Sequence, residues 1–446
     1  MRLTAKFRTG SLLLAMAANM GADGTKAAYT FKMIARTGQS AGNVTLGNYF
    51  QPGEINNLGE ISFAPQLQNP DGTESVFLAV GGRLIKIRGG GDPLPGDGKF
   101  GFTLGPVATN ATGDTAFIVV AKDLPVPWGL TAGVYRTVFG FLLPVMLPGI
   151  TRAPDGQPFQ GAAFNAHMNS RYDTVFPGLV CSTTPSSVPN PGANPCSTGK
   201  LAFGIYRANV LGQIGAVAPP GSPAPGGSTF DYAQVPFIND AGDIAFDAHV
   251  FGEACNNPQS TRIFCGESVY LKNARSGAVA SIAHQGQLSP AGKKYYLAFG
   301  PVLNDFGDLV FIGDLSSAGT GENAVFLYSH GITSTLAKPG DSMPGGGIFS
   351  RAGGFPRTAY LNNNLEVAFV GTLQNGDQGL YRWKNGMVTL VAKTGMTIAG
   401  IGTIANLDDL GAGSASTQVA INDLGQILFA ANLTAGGGAL LVANPQ

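Results

Sequence analysis

Along the chain, apolar residues fall in short runs rich in Val, Ile, Phe and Tyr, alternating with small or polar residues and bounded by Gly, Pro and Asn. A two-residue period predicts half-buried β-strands. The runs are organised by a string that recurs seven times, N-x-x-G-x-x-x-F. Its anchor residues are Asn56, Gly59 and Phe63; Asn110, Gly113 and Phe117; Asn169 and Phe176; Asn239, Gly242 and Phe246; Asn304, Gly307 and Phe311; Asn362 and Phe369; and Asn422, Gly425 and Phe429. Tyr172 and Leu365 stand at the glycine position of the third and sixth copies. Asn can hydrogen-bond the backbone of a turn and Gly reaches positive φ, so N-x-x-G predicts a tight hairpin between two strands. The Phe then packs between neighbouring sheets.

The motif recurs 366 positions apart from first to last over six steps, a mean of 61 residues. Each unit continues with a third strand, such as Val76-Phe77-Leu78, Gly204-Ile205-Tyr206 or Gly379-Leu380-Tyr381. A fourth strand follows, then a Gly/Pro loop such as GDPLPG (91–96) or GDSMPGGG (340–347). The pattern predicts four strands per unit. The last unit reaches Gln446 after its third strand, and residues 31–38 near the other end match the missing fourth. We therefore expect an all-β, seven-bladed β-propeller with four-stranded blades, closed by pairing of the N-terminal and C-terminal strands. Rings of six or eight blades are the nearest structural alternatives, because residues 128–155 in the second unit are irregular.

Composition sharpens this picture. Gly (65) and Pro (29) together make about 21% of 446 residues, against about 12% in average usage, as seven sets of turns require. A length that would ordinarily suggest two or three domains reads instead as one ring over residues 29–446. Lys and Arg (27) balance Asp and Glu (27), which removes the electrostatic footprint of a non-specific nucleic-acid binder. No apolar run approaches the roughly 18 residues of a membrane helix. Residues 1–28 read as a signal peptide, with basic Arg2, Lys6 and Arg8, an apolar stretch from Ser11 to Ala18 and small residues near Ala27. The expected localisation is therefore secreted, periplasmic or extracellular. Four cysteines form two local pairs, Cys181 with Cys196 and Cys255 with Cys265. Two loop-stapling disulfides explain them better than zinc, although four cysteines allow three pairings.

The repeated motif resembles that of exported bacterial proteins with tandem NxxGxxAF repeats, over about residues 29–445. The resemblance implies a secreted, β-propeller-like repeat protein and brings no established reaction or catalytic residues.

Candidate chemistry is sparse. Both cysteine-bracketed stretches (177–199 and 250–266) are insertions between second and third strands of neighbouring units, which would place them side by side on one face. Asp92 and Asp341, at matching places in two Gly/Pro loops, and His284 at the end of a fourth strand are the most suggestive polar residues on that face; turn stabilisation is the expected role of the two carboxylates. The basic residues Arg36, Arg88, Lys338 and Lys393 suit protection of exposed strand edges. Acids follow the motif glycine in six units (Glu60, Asp114, Asp173, Asp243, Asp308, Glu366) and read as a solvated hairpin rim, without the oxygen-rich spacing of a calcium loop. Gly38-Gln39-Ser40-Ala41-Gly42 matches G-x-S-x-G but lacks the strand-turn-helix setting that chemistry needs. His167, His249, His284 and His330 show no paired metal spacing. No cofactor or metal is expected. The reading is a monomeric, non-catalytic extracellular binding or scaffolding module for a polysaccharide or protein. The competing expectation is a carbohydrate-active or other hydrolytic enzyme with carboxylates in the propeller funnel.

Overall fold

Each repeat folds into one antiparallel sheet, and seven sheets form a ring. The computed structural model describes residues 29–68, 73–96, 98–122, 132–183, 196, 199–251, 267–317, 321–353, 359–407 and 418–446. Blades 1 to 6 span residues 40–89, 99–146, 161–218, 230–283, 297–337 and 349–393. Blade 7 combines 397–445 with the N-terminal strand Tyr29–Arg36, which pairs antiparallel with Gly438–Pro445 from Tyr29↔Pro445 to Arg36↔Ala439. The expected closure is therefore present. It ends at Arg36, two residues before the end of the 31–38 match, because Gly38 already sits in the following turn at φ 77°.

Register explains why Phe recurs. In six blades the motif Phe lies directly opposite an aromatic residue of the third strand, as Phe63↔Phe77, Phe117↔Tyr135, Phe176↔Tyr206, Phe246↔Tyr270, Phe311↔Phe326 and Phe369↔Tyr381. In blade 7 Phe429 faces Leu441. The rings of Phe311 and Phe326 stack at 5.4 Å and those of Phe63 and Phe77 at 5.5 Å. Blade faces then pack on one another around the circle: Phe63 and Phe77 of blade 1 share a core with Leu428 and Leu440 of blade 7, and Phe176 and Tyr206 of blade 3 with Ile118 and Val134 of blade 2. Burying such rings stabilises each seam by roughly 2–3 kcal/mol per aromatic side chain.

The motif turn has the geometry its glycine predicts. Gly59, Gly113, Gly242, Gly307 and Gly425 all have φ between 75° and 90°, and Tyr172 and Leu365 adopt the same left-handed conformation at 64° and 57°. Antiparallel order puts these turns at one end of the ring, here the hairpin end. The Gly/Pro loops and the second-to-third-strand connections lie at the other, the loop end.

Candidate functional site

At the hairpin end the motif Asn does two jobs. Its side-chain oxygen accepts backbone N–H groups two and four residues on, as Asn362 does from Asn364 (3.0 Å) and Glu366 (2.9 Å), which fastens the turn. Its Nδ2 donates to the backbone carbonyl of the Asn in the next blade. The links run from Asn169 to Asn239 (3.0 Å), Asn239 to Asn304 (2.9 Å), Asn304 to Asn362 (3.3 Å), Asn362 to Asn422 (2.8 Å), Asn422 to Asn56 (3.0 Å) and Asn56 to Asn110 (3.2 Å). A circle of amides thus ties the blades together, broken at one place. Asn110 Nδ2 is buried and has no partner.

Other residues hold that seam. Tyr172, in place of glycine, donates its hydroxyl to Asp114 of blade 2 at 3.0 Å. Arg136 of blade 2 donates to the carbonyls of Tyr172, Asn209 (2.9 Å) and Val210 (2.8 Å) in blade 3. Burial lowers the Arg136 pKa, and the charge of Asp173 opposes the shift. The acids after the motif glycine are not a solvated rim throughout: Asp114, Asp173, Asp308 and Glu366 are buried, each within a few bond lengths of a donor it uses. Burial alone would raise the Glu366 carboxyl, but bonds and charges from Lys384 and Arg382 outweigh it and hold the pKa below the usual value.

The axis itself is closed beneath the Asn circle. Glu54 of blade 1 accepts from His167 Nε2 of blade 3 at 3.1 Å and from the Thr109 amide of blade 2 at 2.8 Å. His167 stacks on Phe237 at 3.6 Å, and Phe237 meets Tyr360 edge-on at 5.8 Å. Polar and aromatic groups that converge on the axis are therefore joints between blades.

A second polar cluster, toward the loop end of blade 4, was not anticipated from the sequence. Gln234 on the innermost strand and Asp247 on the second are cross-strand partners, as are Tyr232 and His249. Glu267, just before the third strand, accepts from Gln234 Nε2 (2.5 Å) and from the Tyr232 hydroxyl (3.3 Å). His249 Nδ1 lies 3.2 Å from Asp231 Oδ2. All are buried, and Gln234 Oε1, Asp247 Oδ1 and His249 Nε2 have no partner. Burial pushes the Glu267 pKa up to about 8; burial and the neighbouring Glu267 charge raise that of Asp247. Burial thus favours the protonated form of both carboxyls. The signal was visible as the shared string Glu-Ser-Val-aromatic at Glu74 and Glu267. Glu74, its counterpart in blade 1, bonds the Thr103 amide (2.9 Å) and hydroxyl (2.6 Å) of blade 2, and burial raises its pKa as well.

The residues singled out from sequence lie apart. Asp92 caps the Gly89 amide (2.8 Å) and pairs with Lys86, while Asp341 caps the Lys338 amide (2.9 Å) and pairs with Lys338 Nζ (2.7 Å). In the same loop position Gln287 caps the His284 amide at 3.0 Å, and His284 Nδ1 lies 2.7 Å from the Gln285 carbonyl oxygen. These three sites occupy different blades and do not converge. Ser40 of the G-x-S-x-G string sits in a two-residue strand opposite Thr45. Cys181 and Cys196 form a disulfide that packs with Leu179, Leu201 and Phe203 of blade 3 and Tyr232 of blade 4. Cys255 and Cys265 lie outside the described residues. Among the described residues no three His, Cys, Asp or Glu side chains are grouped to hold a metal.

Blades, closure and core define a seven-bladed β-propeller. The chain belongs to a family of unknown function, DUF7453, whose model matches residues 15–192 and 198–440. No curated protein matches it. Among solved structures, a puromycin-hydrolyzing peptidase of Mycobacterium tuberculosis is similar at 11% identity and TM-score 0.53, over 93% of this chain and 55% of that one. An oligogalacturonate lyase in complex with manganese is similar at 13% identity and TM-score 0.50, over 94% and 98%. An acylaminoacyl peptidase of Pyrococcus horikoshii is similar at 10% and 0.50, over 89% and 52%. The chain spans about half the length of the two peptidases. At such identities the likeness is one of fold.

Proposed function

We propose that the protein is an exported, non-catalytic binding or scaffolding module that recognises an extracellular polymer, polysaccharide or protein, through its loop end. Residues 1–28 act as the export signal in this reading, which the resemblance of the motif to that of exported NxxGxxAF repeat proteins supports. The disulfide, and the absence of any helix among the described residues long and apolar enough to cross a membrane, are compatible with an extracellular or periplasmic protein. The observation that carries the reading is the Cys181–Cys196 staple, whose two cysteines pack on the hydrophobic cluster shared by blades 3 and 4 at the loop end. The axial side chains, by contrast, are engaged in joining blades.

A screen of glycans and polysaccharides, with product analysis on every hit, tests this. Retention of an unmodified ligand, weakened by Cys181→Ala, supports it; released products overturn it. The blade 4 cluster favours one second reading, a hydrolase in which Asp247 and Glu267 share acid and base roles. That reading requires turnover to vanish in Glu267→Gln.

A further inference from the structure

The hairpin end of the axis opens into a cavity of about 160 Å³ whose lining includes Glu54, Asp240, Asp305 and Asp423 and neither lysine nor arginine. In a chain with no net charge, this is a strong local segregation of negative charge, and a concave site focuses its field. The residues that follow each motif Asn form the rim. Asp240 Oδ1 accepts from the Ser170 amide (2.7 Å), Asp305 Oδ1 from Asp240 (2.8 Å), Asn363 Oδ1 from Asp305 (2.9 Å), Asp423 Oδ1 from Asn363 (2.8 Å) and Asn57 Oδ1 from Asp423 (2.8 Å). One carboxylate oxygen of each Asp is thereby pinned to a neighbouring blade, and the other oxygens of Asp305 and Asp423 accept from Asn363 Nδ2 (2.9 and 3.2 Å) and, for Asp423, from Asn57 Nδ2 (2.7 Å), so the rim charges are held in place before any ligand arrives. The circle stops at Ala111, which has no side-chain acceptor.

Two further features point to an occupant. Beside Ala111 the lining residue Asn110, 4% exposed, carries the unpartnered Nδ2 described above, a buried donor that calls for an acceptor oxygen. Around the mouth, one residue beyond rim positions Asn57, Asp305 and Asp423, stand Leu58, Phe306 and Leu424, exposed by 73%, 73% and 61%. Apolar tips around a charged recess are the anatomy of a protein interface.

We infer that this end docks a loop of a partner protein, which inserts one lysine or arginine side chain along the axis. The cation meets the Asp240, Asp305 and Asp423 carboxylates, a backbone carbonyl of the loop accepts from Asn110 Nδ2, and apolar flanking residues cover Leu58, Phe306 and Leu424. The three rim carboxylates call for a cation, which a neutral sugar chain does not supply, and the apolar tips give a free polyamine nothing to cover. The inference extends the binding reading to the opposite end of the ring; loss of loop-end binding leaves it standing, and its own failure leaves the loop end untouched.

The test is calorimetric titration of the full chain with an acetylated, amidated leucine-arginine-phenylalanine tripeptide, its glutamine counterpart and agmatine. We expect the arginine peptide to bind at least ten-fold tighter than the glutamine one, with affinity falling as salt rises. The triple variant Asp240→Asn, Asp305→Asn and Asp423→Asn removes the three charges, together with the bonds that Asp305 and Asp423 accept from Asn363 and Asn57, and should lose that preference. Leu58→Ser with Leu424→Ser should weaken the peptide and leave agmatine unchanged. Equal binding of the arginine and glutamine peptides by the unaltered protein overturns the site, whether or not the variants fold. Agmatine binding as tightly as the peptide overturns the protein loop as occupant.

Discussion

The amide circle makes a quantitative prediction through a matched pair of substitutions, Asn362→Ala and Asn110→Ala. Both remove a side-chain oxygen that accepts two turn amides: Asn364 and Glu366 at 3.0 and 2.9 Å in one case, Thr112 and Asp114 at 3.1 and 2.9 Å in the other. Those losses nearly cancel between the variants. The main difference is Nδ2, which in Asn362 donates across the seam to the Asn422 carbonyl at 2.8 Å and to Glu366 at 3.3 Å and in Asn110 donates to nothing, while Asn110 Oδ1 accepts in addition from the exposed-side Thr112 hydroxyl, which water can replace. The Asn422 carbonyl keeps the bond it accepts from the Gly425 amide (2.9 Å), so the seam loses one net hydrogen bond, about 1 kcal/mol. Removing the orphaned Asn110 donor also relieves a penalty of similar kind. Asn362→Ala should therefore destabilise the protein by about 1–2 kcal/mol more than Asn110→Ala. Urea unfolding measures this as a difference in midpoint at unchanged slope. Equal destabilisation within about 0.5 kcal/mol would refute the claim that the amides carry inter-blade energy, leaving the motif Asn as a turn residue alone.

Three further outcomes follow from the same geometry. Because Glu267 is raised from 4.5 to about 8, the folded state keeps a proton that the unfolded chain loses; its stability is fully present below about pH 4.5 and falls as pH rises toward 8. Glu267→Gln should flatten that slope in urea titrations at pH 5 and pH 8, and an unchanged slope would place the titration elsewhere. Tyr172→Phe removes the bond to Asp114 across the incomplete seam and should lower unfolding free energy by about 1 kcal/mol, whereas a neutral result would show that Arg136 alone holds it. Cys181→Ala opens a loop of 15 residues and should cost up to about 3 kcal/mol, read as a lowered urea midpoint of the variant with both proteins kept free of reductant; an unchanged midpoint would show that the bridge adds no stability.

Much of the fold was legible because its devices are local. N-x-x-G names a turn, the Phe four residues later names a buried strand position, and their period counts blades. Closure was legible because one unit lacked a strand that the other end of the chain supplied. The inter-blade role of the Asn was not, since its partner is the carbonyl of a residue about 60 positions away and any residue type offers a carbonyl. Reading the acids at Asp114 and Asp173 as solvated failed for a related reason: a charge beside a turn is usually exposed, but here Tyr172 and Arg207 arrive from neighbouring strands and blades to cover it. Beyond its Glu-Ser-Val-aromatic string the blade 4 cluster was not legible, because Asp247 and His249 fall in a fully buried strand whose neighbours are known only once blade 5 is placed against it, with the Gly300 amide 3.4 Å from Asp247.

The ring is held shut by eight residues, Tyr29–Arg36, running antiparallel along the last strand, with Phe31 edge-on to Phe429 at 6.3 Å. Deleting residues 29–36 and measuring thermal unfolding, with and without a synthetic peptide of that sequence added in trans, tests this directly. Closure by the termini predicts a sharply lowered melting temperature that the peptide partly restores. An unchanged melt would contradict closure by the termini.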